Sequence, residues 1–133
     1  MHRLPGHEGH CRCFHGHRYA AEITCIADQL DSCGRVVDFG VIKERVGAWI
    51  DKAWDHTAIL MHGDDDPAIP LIAASNERMG KPVYWLDAPP SAENLVAELA
   101  RISTELLDGT GVQVDHIRLW ETPNCSVAWQ REA

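Results

Sequence analysis

The densest chemistry in the sequence stands near its start, in Cys11-Arg12-Cys13-Phe14-His15-Gly16-His17. Two histidines one residue apart on an extended segment project from the same face, because strand side chains alternate with period two. Their imidazoles can reach one metal ion, and Gly16 between them leaves the opposite face open to close packing. A third nitrogen would complete the open, three-protein-ligand arrangement of a catalytic zinc site. His2, His7 and His10 are the available candidates. The plainer reading of the same spacing is two histidines satisfied on a surface or in a core.

Two further groups carry chemistry. Asp55-His56 falls where a helix is expected to end. A carboxylate beside an imidazole fixes its tautomer and raises its basicity, as proton transfer needs. A histidine favoured by the helix dipole is the structural alternative. Glu121 shares a predicted strand face with Ile117 and Leu119, and a carboxylate on an apolar face is either paired or functional. The run Asp64-Asp65-Asp66 fits no calcium loop and reads as a solvated turn. Trp49, Trp120 and Trp129 fall in helix or strand stripes and read as core.

These residues must be positioned by regular elements. From 17 to 28 the pattern alternates, with Tyr19, Ala21, Ile23, Cys25 and Ala27 on one face, as in a half-buried strand. A turn at Asp31-Ser32-Cys33-Gly34 and a short strand over 35–38 would complete a hairpin. Over 41–54 the period becomes helical, with Ile42, Val46, Trp49, Ile50 and Ala53 in one stripe. Residues 61–90 hold five of the seven prolines and are the least regular part. They predict a long loop with a short helix near 68–75 and an extended piece near 83–86. Ser91 is a good N-cap for a second helix, with Glu93 in its first turn and Leu95, Leu99, Ile102 and Leu106 as its apolar stripe. Gly109 and Gly111 end it, and strands near 112–121 and 126–130 follow around Thr122-Pro123-Asn124. The order ββ, α, loop, α, ββ points to an α+β fold, an antiparallel sheet with two helices on one face.

The whole chain sets bounds. Its 133 residues suit one domain. A formal net charge of −8 without clustered Lys and Arg argues against nucleic acid as partner. No apolar run approaches the roughly 20 residues that cross a bilayer. The opening 17 residues hold five of the eight histidines and do not read as a signal peptide, so a cytoplasmic protein is expected. Five cysteines, an odd number, make a disulfide framework improbable.

Taken together, ordered blocks along the chain resemble the family of 6-pyruvoyltetrahydropterin and 6-carboxytetrahydropterin synthases. The blocks are His2-Arg3-Leu4-Pro5, Gly9-His10-Cys11, Cys11-x3-His15-Gly16-His17, Val37-Asp38-Phe39, Asp55-His56-Thr57, Pro90-Ser91-Ala92-Glu93-Asn94 and Trp120-Glu121-Thr122. The resemblance implies a tunnelling fold of small ββααββ subunits that trimerise into a barrel, often paired as a hexamer with active sites between subunits. It makes His2, His15 and His17 the zinc ligands and Cys11 the catalytic cysteine, four residues before the first histidine of His-Gly-His; Cys13 becomes a bystander. Asp55 and His56 match the proton-relay pair, Glu121 the glutamate that grips the pterin ring and is counted with the catalytic relay, and Ser91 a substrate-side position where relatives usually carry Thr.

The implied substrate is 7,8-dihydroneopterin triphosphate. Cys-x3-His-Gly-His looks most like the 6-carboxytetrahydropterin synthases of bacterial queuosine and 7-deazaguanine biosynthesis, and the 6-pyruvoyl branch shares the spacing. Against the family, the chain is expected to lack most of the first strand and to carry an insertion over about 60–88. The competing readings are a non-catalytic zinc-binding domain, which would need neither Cys11 nor Asp55-His56, and an unrelated metal-dependent hydrolase.

Overall fold

The structure, a computed structural model, describes residues 1–132. Its main sheet has three antiparallel strands: β1 (Ala20–Ile26), β4 (Gln113–Thr122) and β5 (Cys125–Gln130), in the spatial order β1-β4-β5. The alternation expected from 17 onward is present. Tyr19, Ile23, Cys25 and Ala27 turn toward the core, while Arg18, Glu22 and Thr24 face solvent. Ala21 stays exposed. β1 pairs with β4 from Ala20↔Trp120 to Ile26↔Gln113, with a bulge between Thr24 and Cys25.

The second strand expected at 35–38 does not form. That stretch is held by local contacts instead: Asp31 Oδ1 accepts from Cys33 N and Arg35 N at 2.8 and 2.9 Å, and the Arg35 guanidinium bridges Asp31 and Asp38. Side-chain acceptance from nearby backbone amides competes with ladder pairing, and here it wins. Asp38 then caps α1 (Phe39–Ile42), accepting from Gly40 N. The helix continues through a π-helical turn, Lys43–Gly47, into α2 (Ala48–Ala53).

α4 (Ala92–Leu107) starts at Ser91, whose hydroxyl accepts from Asn94 N, and ends before Gly109 at φ +75°. Its inward side is centred on Leu95, Val96, Leu99, Ala100, Ser103 and Leu107, rotated slightly from the expected stripe, so Ile102 and Leu106 are half-buried. Both helical segments pack with Val114, Ile117 and Leu119 of β4 in a single cluster that includes Val46, Trp49 and Ile50. Each fully buried leucine there contributes roughly 1.5–3 kcal/mol.

Residues 61–90 are more regular than the prolines suggested. β2 (Ile59–Met61), α3 (Ile69–Arg78) and β3 (Tyr84–Leu86) form a βαβ unit whose strands pair in parallel. Ala58, Leu60 and Ile69 make its small core, with Phe14, Ile72 and Val83 against it. The opening residues are tied to this unit. Met1 N donates to Thr57 O at 2.7 Å, Ile59 N donates to Met1 O at 2.8 Å, and His2 forms an antiparallel bridge with His15. No helix among the described residues is long and apolar enough to cross a membrane.

Candidate metal centre and adjoining cavities

Three elements converge on the histidines. The bridge between His2 and His15 fixes two of them, and the run into β1 carries His15, His17 and Tyr19 at every second residue. The ligand nitrogens of His2, His15 and His17 all lie within 4.8 Å of one another. His7 and His10, the other candidates for the third position, fall outside this group: His7 Nδ1 accepts from Gly9 N, and His10 lies in a 3-10 turn, His10–Arg12.

Hydrogen bonding fixes the tautomers of two of the three histidines. His2 Nδ1 donates to Pro90 O at 2.8 Å, and His15 Nδ1 donates to Cys13 O at 2.7 Å. A carbonyl only accepts, so each Nε2 is left with its lone pair. Yet these two Nε2 atoms lie 3.1 Å apart. His17 Nε2 is buried without a hydrogen bond. Two facing lone pairs and an orphaned third nitrogen form an electron-rich pocket that calls for a cation, and an all-imidazole set suits zinc. Burial pushes the His2 pKa down, the neighbouring His15 and His17 adding to it, against smaller opposing effects of Pro90 O and Glu121. That favours the neutral imidazole, the form in which a histidine binds a metal.

Glu121, near the end of β4, reaches the same place. Its Oε1 stands 3.4 Å from His17 Nε2 and 4.0 Å from His2 Nε2, and it accepts a hydrogen bond from Tyr19 OH at 3.1 Å. The carboxylate on this apolar face is thus paired, with a phenol donating to it and imidazoles as its other neighbours.

Two cavities flank the histidines. One, of about 520 Å³, is lined by His2, His15, Glu121, Cys11, Ser91 and Cys125 among others. Cys11 sits half-buried in the 3-10 turn. Cys13 is exposed, and its use to the site is its carbonyl. The other cavity, of about 460 Å³, is lined by His2, His17, Tyr19, Arg18, Trp54 and the pair Asp55-His56. His56 Nδ1 and Asp55 Oδ2 are 2.7 Å apart, as an oriented relay pair requires, but the His56 side chain is 85% exposed. Within one chain, therefore, the structure gathers Cys11, Ser91 and Glu121 around one opening of the histidine cluster and Asp55-His56 around the other.

His56 has φ +56°, the only non-glycine with positive φ among the described residues. Its segment is held by the βαβ unit. Lys81 Nζ donates to Asp51 O and Asp55 O at 2.8 and 3.0 Å, and Thr57 Oγ1 donates to Pro82 O at 2.9 Å. Sequence reasoning missed three supports of the site: Pro90 O, Cys13 O and Tyr19. The carbonyls carry no signal in sequence, whereas Tyr19 continues the period of His15 and His17, a signal that the half-buried strand face of 17–28 absorbs.

A sequence model described as 6-pyruvoyl tetrahydropterin synthase matches residues 1–132. A 6-carboxy-5,6,7,8-tetrahydropterin synthase of Rickettsia bellii is 40% identical over 127 residues, covering 95% of this chain and 89% of the relative. A protein of the same name from Haemophilus influenzae is 29% identical over 133 residues, covering 97% and 90%. Among solved structures, an uncharacterized protein from Wolinella succinogenes superposes with a TM-score of 0.79 at 20% identity, covering 98% of this chain and 92% of that one.

Proposed function

The chain belongs to the 6-pyruvoyl tetrahydropterin synthase family, and from that premise we propose that it is a zinc-dependent 6-carboxy-5,6,7,8-tetrahydropterin synthase. It would convert 7,8-dihydroneopterin triphosphate and water to 6-carboxytetrahydropterin, acetaldehyde and triphosphate, as a step of 7-deazaguanine and queuosine biosynthesis. The observation that carries the reading is the meeting of the three-histidine cluster, Glu121 and Cys11 at one cavity, in a chain 40% identical to a synthase of that name.

His2, His15 and His17 would hold zinc, which supplies Lewis acidity toward the vicinal hydroxyls of the substrate side chain. The chain's own groups do the rest. Glu121 accepts hydrogen bonds from pterin N–H groups and sets the ring's orientation. The Cys11 thiolate takes or returns a proton beside the hydroxyls. His56, its Nδ1 turned to Asp55, serves as the second acid–base. Ser91 stands at the wall of the Cys11 cavity, its hydroxyl already accepting from Asn94 N, so its part in binding is secondary to capping α4. A homo-oligomer, trimeric or hexameric, would bring the exposed Asp55-His56 of one subunit to the Cys11 side of another and so assemble sites between subunits.

The test is to incubate zinc-loaded protein with 7,8-dihydroneopterin triphosphate and follow products by mass spectrometry. Release of 6-carboxytetrahydropterin with acetaldehyde is the expected result. Accumulation of 6-pyruvoyltetrahydropterin would move the chain to the other branch, and bound zinc without pterin turnover would leave a non-catalytic zinc-binding domain.

A further inference from the structure

Tyr19 stands at the boundary of the two cavities. Its ring lies edge-on to His17 and to His2, with centroids 5.6 and 6.1 Å apart. Its body lines the Asp55-His56 cavity, while its hydroxyl donates to Glu121 Oε1, on the residue that lines the Cys11 cavity. The sheet places it there. Antiparallel pairing of Ala20 with Trp120 puts Tyr19 and Glu121 one step beyond, on the same face of adjacent strands.

Without this phenol, Glu121 has no described hydrogen-bond donor. Its other neighbours, at 3.4 and 4.0 Å, are the Nε2 atoms of His17 and His2, and neither makes a hydrogen bond to it. A freed carboxylate beside a cation turns toward it and occupies a position that substrate oxygens need. The phenol counters this by holding Oε1 in a fixed direction.

We propose that Tyr19 is a positioning residue that fixes the Glu121 carboxylate relative to the three-histidine centre and so keeps it available to substrate. The importance of Glu121 to turnover rests on the function proposed above; the tether itself does not. The test is a double-mutant cycle of Tyr19→Phe and Glu121→Gln in the full chain, read in two ways. The first is the visible absorption spectrum of the protein loaded with Co²⁺ in place of zinc, which reports coordination geometry without any turnover. Tyr19→Phe is expected to retain stoichiometric cobalt and a wild-type melting temperature, and to change the spectrum. In the Glu121→Gln background the same change should leave it unmoved.

The second readout is kinetic. Tyr19→Phe should lower kcat/KM by about 10–100-fold, mostly through KM, as loosening a residue behind a site group does. In the Glu121→Gln background its effect should shrink to within about threefold. Additive effects across the cycle, or a cobalt spectrum indifferent to Tyr19→Phe, would overturn the proposal. If the wild-type chain fails to turn over the pterin, the proposed activity falls, and the cobalt cycle still decides the role of Tyr19.

Discussion

At the scale of single residues, the site is a set of lone pairs with one carboxylate beside them. His17 Nε2 is buried and without a hydrogen bond, so in the absence of a metal it is a cost with no return. His17→Ala should therefore weaken zinc binding by more than about 100-fold, since ligand loss exceeds the 10–100-fold typical of an outer partner; competition with a chromophoric chelator measures it. A variant that binds zinc as tightly as wild type would remove His17 from the centre. Cys11 is separable from this. It lines the cavity outside the ligand group, so Cys11→Ala should keep zinc while kcat falls by about 10²–10⁴, the usual span for an acid–base group. The spacing His15-Gly16-His17 made two members of the histidine cluster legible, because period two is a local property. Spacing alone left the third open among His2, His7 and His10; the family resemblance singled out His2, and the structure brings it to the pair through its bridge to His15 and the bond from Ile59 N to Met1 O, contacts that are long-range.

At the scale of elements, the βαβ unit over 59–86 acts as a brace for the Asp55-His56 segment. Lys81 reaches two carbonyls at the C-terminal end of α2, Asp51 O and Asp55 O, where helix carbonyls lack partners and the dipole favours a cation. Lys81→Met should lower stability by about 0.3–1 kcal/mol in urea unfolding and reduce turnover through His56, with zinc affinity unchanged. Loss of zinc affinity instead would mean that the brace serves the histidines. The same unit is tied to α4 through Tyr84, Glu98 and Arg101: the Tyr84 hydroxyl donates to Glu98, and Arg101 pairs with it at 2.7 Å. Arg101 foremost holds the Glu98 carboxyl below its ordinary pKa, while burial and Glu98 push Tyr84 up to about 12. A depressed folded pKa means that the tie stabilises above the ordinary glutamate pKa and is lost as pH falls through the lower, folded value. Wild type should exceed Glu98→Gln by about 0.5–1 kcal/mol at neutral pH, the size expected of a partly exposed pair. The urea midpoints of the two should converge as pH falls past the ordinary glutamate pKa and through the lower, folded value. This unit was only half legible in sequence. A three-residue strand, Ile59–Met61, is too short for periodicity to separate from loop, and its parallel partner lies beyond α3. The strand expected at 35–38 failed for a different reason: Asp31 offers the backbone a local alternative that an alternating pattern does not reveal.

At the scale of the whole molecule, the α+β class followed from one strand, two helical stripes and a terminal strand pair, and these are the elements that enclose the core. What no single-chain pattern encodes is how the proposed catalytic groups meet. Cys11 and Asp55-His56 line different cavities on either side of the histidines, and the His56 side chain is 85% exposed. A general acid–base so placed is open to bulk water and poorly directed at a substrate bound over Cys11. Closed homo-oligomers commonly solve this by presenting a surface group of one subunit to a cavity of the next. The two variants Cys11→Ala and His56→Ala separate the arrangements. Each should be inactive alone. If a site takes Cys11 from one subunit and His56 from a neighbour, unfolding and refolding the two together in equal amounts yields some sites with both groups intact. Random assembly gives such a site when the first subunit carries His56→Ala and the second carries Cys11→Ala, so about a quarter of wild-type activity should return. If both groups act within one chain, every site in the mixture lacks one of them and no activity returns. Sedimentation of the mixture, run beside the assay, confirms that the subunits have reassociated and makes a null result decisive against the shared site.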